Sequence, residues 1–339
     1  MIRLGVLDQS PVSSGSTPAE AVAETIRLAQ ATERLGYSRY WLAEHHGSDG
    51  VAGSAPEILV TRVAAATSEM RVGSGGVMLS HYSPLKVAET FKLLETMYPG
   101  RIDLGIGRAP GSDQLTAGAL AYGSPIGVEY FPNKIAEVSA FLTDSEAATE
   151  AFAKVRARPL TSTAPEMWLL GSSGESASLA AHYGLAFSFA HFITPVGGDQ
   201  VIAGYREHFK SSALYAEPHA TLCVFVICAE TEEEAERQVQ SRDLWRIHLD
   251  AGRVDPYPSV AEAEAYDYTD AERARVQGNR ARSLFGTPDQ VKARLETIAE
   301  QYGVDELMIL TITHDPALRI RSYELLAEAF GLEGRAGPD

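Results

Sequence analysis

Residues 39–46 read Arg39-Tyr40-Trp41-Leu42-Ala43-Glu44-His45-His46, a short apolar run that ends abruptly in a carboxylate and two imidazoles. A run this short and this apolar reads as a strand buried on both faces, the kind found in parallel sheets. The same grammar recurs along the chain. Apolar runs at 2–7, 39–43, 71–79, 101–107, 166–170, 185–190, 221–229 and 306–311 are mostly followed by Gly, His or Arg clusters, and amphipathic helical patterns lie between them. Strand alternating with helix predicts an α/β fold of parallel units, and eight such units close into a (β/α)8 TIM barrel with loop insertions. In that fold the loops leaving the C-terminal ends of the strands build the active site. Those loops carry Glu44, His45 and His46, then Arg108, then residues 171–176, then His191, and finally His314.

Helix signals support the alternation. Thr17-Pro18 opens the first helix and Gly36 closes it, and Pro56, Pro84, Pro288 and Pro316 mark further starts; proline in a first turn sacrifices no hydrogen bond. Three stretches break the rhythm, at 109–127, 144–164 and 250–286. The last contains Asp255-Pro256-Tyr257-Pro258 and then Arg273, Arg275, Arg280 and Arg282, and reads as a mobile loop insertion, a lid or an excursion, on a single domain spanning 1–339.

Bulk properties narrow the function. The chain has 339 residues, 45% of them hydrophobic, enough for one large core. No apolar stretch approaches the roughly 20 residues of a membrane span, and the N-terminus runs straight into a strand without a secretory pattern, so a soluble cytoplasmic protein is expected. A net charge of −16 repels nucleic acid and anionic lipid, which leaves small molecules as the expected ligands. The two cysteines, Cys223 and Cys228, share the seventh strand at an odd separation, point to opposite faces and read as buried free thiols.

Four loop clusters carry candidate chemistry. Glu44, His45 and His46 emerge together, but neighbours leaving a strand point to opposite sides, so one imidazole faces the barrel mouth as a proton donor or acceptor. A barrel hydrolase with a metal on all three is the rival reading. Residues 71–79 form a strand weakened by Gly73, Gly75 and Gly76, which marks a bulge or a place where a flat group must approach the backbone. The stretch Leu104-Gly105-Ile106-Gly107-Arg108-Ala109-Pro110-Gly111 fails as a dinucleotide fingerprint because Pro110 interrupts it and 109–127 shows no helix to receive a pyrophosphate. Arg108 survives as a phosphate-gripping guanidinium. Gly171-Ser172-Ser173-Gly174-Glu175-Ser176 joins the fifth strand to a helix and reads as a phosphate cradle, an ordinary N-cap being the alternative. Tyr82, His191 and Phe192, with His81 and His314, are candidates for a substrate pocket. No metal site is expected, and neither a G-x-S-x-G elbow nor an H-E-x-x-H motif occurs.

Five segments in order, Leu4-Gly-Val-Leu-Asp-Gln-Ser-Pro11, Trp41-Leu-Ala-Glu-His-His46, Val72-Gly-Ser-Gly-Gly-Val-Met-Leu79, residues 98–110 and Leu284-Phe-Gly-Thr-Pro-Asp-Gln290, resemble the luciferase-like flavin-dependent monooxygenases. The resemblance implies reduced FMN (FMNH2) supplied by a separate flavin reductase. It implies that O2 adds at flavin carbon 4a to give a hydroperoxide that hydroxylates or epoxidises a hydrophobic organic substrate, a tailoring step of secondary metabolism. It makes His45 the catalytic histidine with Glu44 beside it, places Gly75 and Gly76 under the ring, often across a cis bond, and assigns the phosphate to Arg108, Glu175 and Ser176 with Ser173 and Gly174 alongside. Relatives that use a deazaflavin, or a barrel that holds flavin without oxygenating, are the other implied outcomes. Gly107 replaces a reactive cysteine of luciferases, which implies that peroxide stabilisation lacks that thiol's help, and Leu179 replaces a hydroxyl residue that often binds phosphate, which implies weaker FMN retention. Relatives pair as homodimers through helices matching 57–67 and 84–97.

Overall fold

Among the described residues nine stretches form strands: β1 (Arg3–Asp8), β2 (Arg39–Leu42), β3 (Arg71–Met78), β4 (Ile102–Gly107), β5 (Glu166–Gly171), β6 (Ala186–Ala190), β7 (Ala220–Cys228), β8 (Ser283–Gly286) and β9 (Glu306–Leu310). The computed structural model describes residues 2–122, 127–145 and 149–335. All strand pairings are parallel, in the order β6-β5-β4-β3-β2-β1-β9-β7, and a β6–β7 pairing closes the ring. The chain is therefore a closed eight-stranded (β/α)8 barrel. The strand absent from the sequence reading is β8, which pairs with the upper half of β7, Phe225–Cys228. Its four residues, SLFG, are too short for an alternation to show.

Two apolar layers follow from the alternation of side chains across a pleated strand. Leu7, Trp41, Trp168, Cys223, Phe225 and Met308 fill the barrel interior. Val6, Leu42, Val72, Leu104, Phe187 and Val226 face outward and pack beneath the surrounding helices. Cys223 falls in the inner layer and Cys228 in the outer one, both buried and free, as their odd separation requires.

The proline signals are borne out: Pro18, Pro56, Pro84, Pro288 and Pro316 each occupy a first turn, and Thr17 closes a capping box with Glu20. Two loop readings are corrected. Residues 109–127 contain a helix, Gln114–Ala121, but the Asp113 carboxylate caps its start by accepting from the N–H groups of Leu115 and Thr116, so its dipole already has an anion. The stretch 250–286, expected as a loop, contains helices Val260–Ala265 and Asp270–Arg280 besides β8. Ser259 and Thr269 close capping boxes with Glu262 and Glu272, so the acidic residues there are helix starts.

A buried charge cluster seals the N-terminal end of the barrel. Arg39, 3% exposed, donates to Asp103 at 2.7 Å, Glu306 at 3.0 Å and Glu166 at 3.3 Å. Its guanidinium carbon lies 4.8 Å from the centroid of the Trp168 ring. Asp103 also accepts from Trp41 Nε1 at 2.8 Å and from Arg71 Nε at 2.7 Å, which ties the interior aromatics to the plug. The opposite end is left open for chemistry. Among the described residues no helix is long and apolar enough to cross a membrane.

Candidate active site

The open end leads into a cavity of about 700 Å³ walled by the C-terminal ends of the strands. Its residues include Leu7, Trp41, His45, Gly75, Gly76 and Met78 on one side and Arg108, Ser172, Ser173, Ser176, Phe192 and Cys223 on the other. Leu7, Trp41, Ala43 and Cys223 belong both to the inner layer and to the cavity wall, so the cavity lies directly on the barrel core.

His45 is fixed by its backbone, whose N–H donates to the Gly53 carbonyl at 2.9 Å, while His46 N–H donates to Gly111 at 3.0 Å. The opposed anchors splay the two imidazoles. His45 enters the cavity with its Nδ1 buried and without a partner among the described residues. Burial lowers its pKa below the ordinary 6.5, the Glu44 charge opposing and the His46 charge assisting, so the ring is neutral at pH 7. His46 reaches only an adjoining chamber, and its Nε2 is tied to Glu44 Oε1 at 2.7 Å.

Glu44 was expected beside His45 at the reacting centre, and the structure places it behind the wall instead. It is fully buried, and its carboxylate accepts from Tyr82 at 2.5 Å, from His46 and from the Met78 N–H at 2.9 Å. Its role is to join the end of β2 to the end of β3. For the same reason Tyr82 does not line the cavity: its hydroxyl is spent on Glu44. His191 also lies outside it, edge-on to Tyr302 with ring centroids 6.0 Å apart, whereas Phe192 lines it as expected. His81 Nε2 donates to the Pro110 carbonyl at 2.8 Å, and His314 engages Ser13 and Ser14. Glu44, His45 and His46 do not converge on a common point, which removes the geometry that a metal held by all three requires.

Gly75 and Gly76 lie on the floor, joined by a cis peptide. The register of β3 against β4 runs from Ser74↔Leu104 to Val77↔Ile106, three steps against two, so β3 bulges by one residue here. The bulge reading of the glycines holds, and neighbouring protein atoms add a second reason for them. A Cβ on Gly75 would come within 2.6 Å of Leu7 Cδ1, and one on Gly76 within 2.7 Å of the Gly105 carbonyl oxygen. The backbone is bare because no side chain fits.

At the far end of the cavity Arg108 leaves β4 and forms an ion pair with the Glu175 carboxylate. Ser173 is the N-cap of helix Gly174–Tyr183, yet its side chain makes no capping bond, which leaves the first N–H groups of that helix open. Ser172, Ser173 and Ser176 line the cavity next to Arg108. A guanidinium, hydroxyls and an uncapped helix start form an anion cradle, and the residues fit a phosphorylated flavin: charge-matched at one end, flat and apolar along the middle, with one neutral imidazole at the edge. Gln9, Leu170 and Ile193 were missed as wall residues; inward parity from Leu7 and Trp168 would have found the first two.

The fold and this cavity define a barrel with its candidate active site at the C-terminal ends of the strands. The chain matches the family model described as luciferase-like monooxygenase over residues 2–306 and belongs to that family. It is 40% identical over 332 residues to the N-acetyl-S-alkylcysteine monooxygenase of Bacillus subtilis (strain 168), covering 97% of this chain and 98% of the relative. It is 38% identical over 324 residues to a luciferase-like monooxygenase of Escherichia coli (strain K12), covering 96% of each. The crystal structure of apo-MsnO8 superposes with a TM-score of 0.90 at 39% identity, covering 99% of this chain and 100% of that one.

Proposed function

We propose that this monooxygenase works with FMN, received in reduced form from a separate flavin reductase, and inserts oxygen into a hydrophobic organic substrate. The observation that carries this reading is one cavity with an anion cradle at Arg108 and Ser172–Ser176 and a neutral His45 at the other end. Reduced FMN, when bound, supplies the two electrons with which one atom of dioxygen enters the substrate and the other leaves as water.

The chain's own residues do the rest. Arg108 and the N–H groups at 174–176 would hold the phosphate. The bare backbone at Gly75 and Gly76 would leave room for the flavin against the cavity wall. Leu7, Trp41, Met78, Leu170, Phe192 and Ile193 keep water from the reacting edge, which protects an oxygen-transferring site from wasteful decay. His45, neutral and fixed, accepts or donates the proton that moves there. Glu44 and Tyr82 position that loop.

The name of the Bacillus subtilis relative makes an N-acetyl-S-alkylcysteine the first substrate to test; place in secondary metabolism and cytoplasmic residence belong to the same proposal. A homodimer is part of it too: Ile58, Leu93 and Met97, 67%, 50% and 45% exposed, lie along one depression between helices Pro56–Ala66 and Pro84–Met97. The reading is tested by supplying FMN, a flavin reductase and NADH under 18O2. Product carrying one labelled oxygen supports it; flavin oxidation with unaltered substrate, across thioether and aromatic candidates, refutes it.

A further inference from the structure

The cavity continues past His45. Gln9, His45, Phe192 and Ile193 line a second chamber of about 450 Å³ on their other side. Its walls include Phe225, Trp245, Leu249 and Leu310, so it is a largely apolar space. Set into that space are three arginines: Arg242 and Arg246, one turn apart on helix Glu232–Asp250, and Arg282 beside β8.

These charges are not spent on each other's usual partners. Arg242 is 4% exposed, and its one hydrogen bond among the described residues is long, 3.5 Å from Nη1 to the Asn279 carbonyl. Its guanidinium carbon lies 4.5 Å from the Phe225 ring centroid. The adjacent carboxylate, Asp243, is taken by Arg280 at 2.7 Å. Arg246 holds Asp250 at 3.0 Å, but its Nε is buried and unpartnered. Arg282 has no carboxylate in ion-pair contact among the described residues. The one carboxylate on the chamber wall among the described residues, Asp113, is committed to capping the N–H groups of Leu115 and Thr116. Burial pulls the Arg242 pKa down to about 10, which still leaves it charged at neutral pH.

A chain of net charge −16 that leaves a buried guanidinium without an anion pays a desolvation cost that an anionic ligand would repay. We propose that the second chamber anchors an oxyanion of the substrate, a carboxylate, on Arg242 with Arg246 and Arg282, so that the substrate's apolar body reaches past Phe192 and Ile193 to His45. The inference rests on the flavin monooxygenase reading for what happens at His45, and it narrows the substrate class to apolar organic acids. The guanidinium fork suits a planar carboxylate, and the apolar walls suit a carbon chain better than a bare inorganic ion. Arg108 lines only the first cavity, so flavin phosphate and substrate acid have separate anchors.

The test is calorimetric titration with ω-phenyl carboxylic acids, from phenylacetate to phenylhexanoate, each against its primary amide, on free protein and with saturating oxidised FMN. The expected result is an acid that binds about tenfold or more tighter than its amide at the best-fitting length. Arg242→Gln should close that gap while leaving amide affinity in place. Arg282→Gln, at a half-buried position without a carboxylate partner, should narrow it and serves if the first variant melts early. Equal affinity of acid and amide, or a gap that survives both substitutions, overturns the proposal. So does acid binding that FMN abolishes, because the arginines would then serve the flavin. If FMN itself fails to bind, the flavin reading falls and the acid–amide comparison on free protein still judges the chamber.

Discussion

The Tyr82 hydroxyl donates to the Glu44 carboxylate at 2.5 Å, and both groups lie behind the wall that presents His45. The bond joins the turn after β3 to the loop after β2, and Lys134 Nζ braces the same turn by donating to the carbonyls of Leu79, Ser80 and Tyr82. Tyr82→Phe removes one donor from a carboxylate that keeps two others, so stability should fall by about 1–2 kcal/mol. Because the imidazole loses part of its support, turnover should fall while FMN affinity is retained. Thermal melting and flavin titration on one preparation check both halves.

His45 predicts a pH response of definite sign. Its pKa is lowered from 6.5 in the folded protein, so as pH falls through that value the unfolded chain takes up the proton first. The contribution to stability is full above the unfolded pKa and is lost as pH falls toward the folded one. A function that uses the neutral ring should show an acid limb in kcat/KM below about 6.5. His45→Gln should lower turnover on the order of 10²- to 10⁴-fold and flatten that limb, with FMN affinity unchanged.

Asp103 makes the opposite prediction. It is fully buried at the sealed end and serves Arg39, Arg71 and Trp41 at once. Asp103→Ala strands charges inside the barrel and should cost about 3–5 kcal/mol. The protein that remains folded should keep its kcat, since the plug lies at the end away from the cavity. A denaturant melt paired with steady-state kinetics separates the two effects.

The exposed stripe at Ile58, Leu93 and Met97 predicts self-association. Sedimentation of the wild type at micromolar concentration should give twice the 36.5 kDa chain mass, and Ile58→Glu should return it to one chain. A wild-type monomer contradicts the dimer.

The barrel was legible because eight of its strands are short, largely buried and mostly apolar runs set between helical patterns. β8 was not, since four residues within a charged stretch carry no period, and the capping boxes at Ser259 and Thr269 were masked by the surrounding acids. In the site, backbone features were readable: Gly75 and Gly76 stand out in a strand, and Gly171–Ser176 stand out between strand and helix. Side-chain destinations were not. Glu44, Tyr82 and His191 sit at the right chain positions but turn away from the cavity, because hydrogen-bond partners from other loops claim Glu44 and Tyr82, and His191 packs on Tyr302. The second chamber was hidden for the same reason, since Arg242 and Arg246 reach the barrel mouth from a helix between β7 and β8.

The central claim is that one phosphate, held by Arg108 and the open start of helix Gly174–Tyr183, fixes the flavin in the barrel mouth. Its most direct test is paired titration with FMN and with riboflavin, which lacks the phosphate. The account predicts that FMN binds about tenfold to a hundredfold more tightly, and that Arg108→Ala removes most of the difference. Equal affinity for the two flavins in the wild type, or a preference for FMN that Arg108→Ala leaves intact, would contradict it.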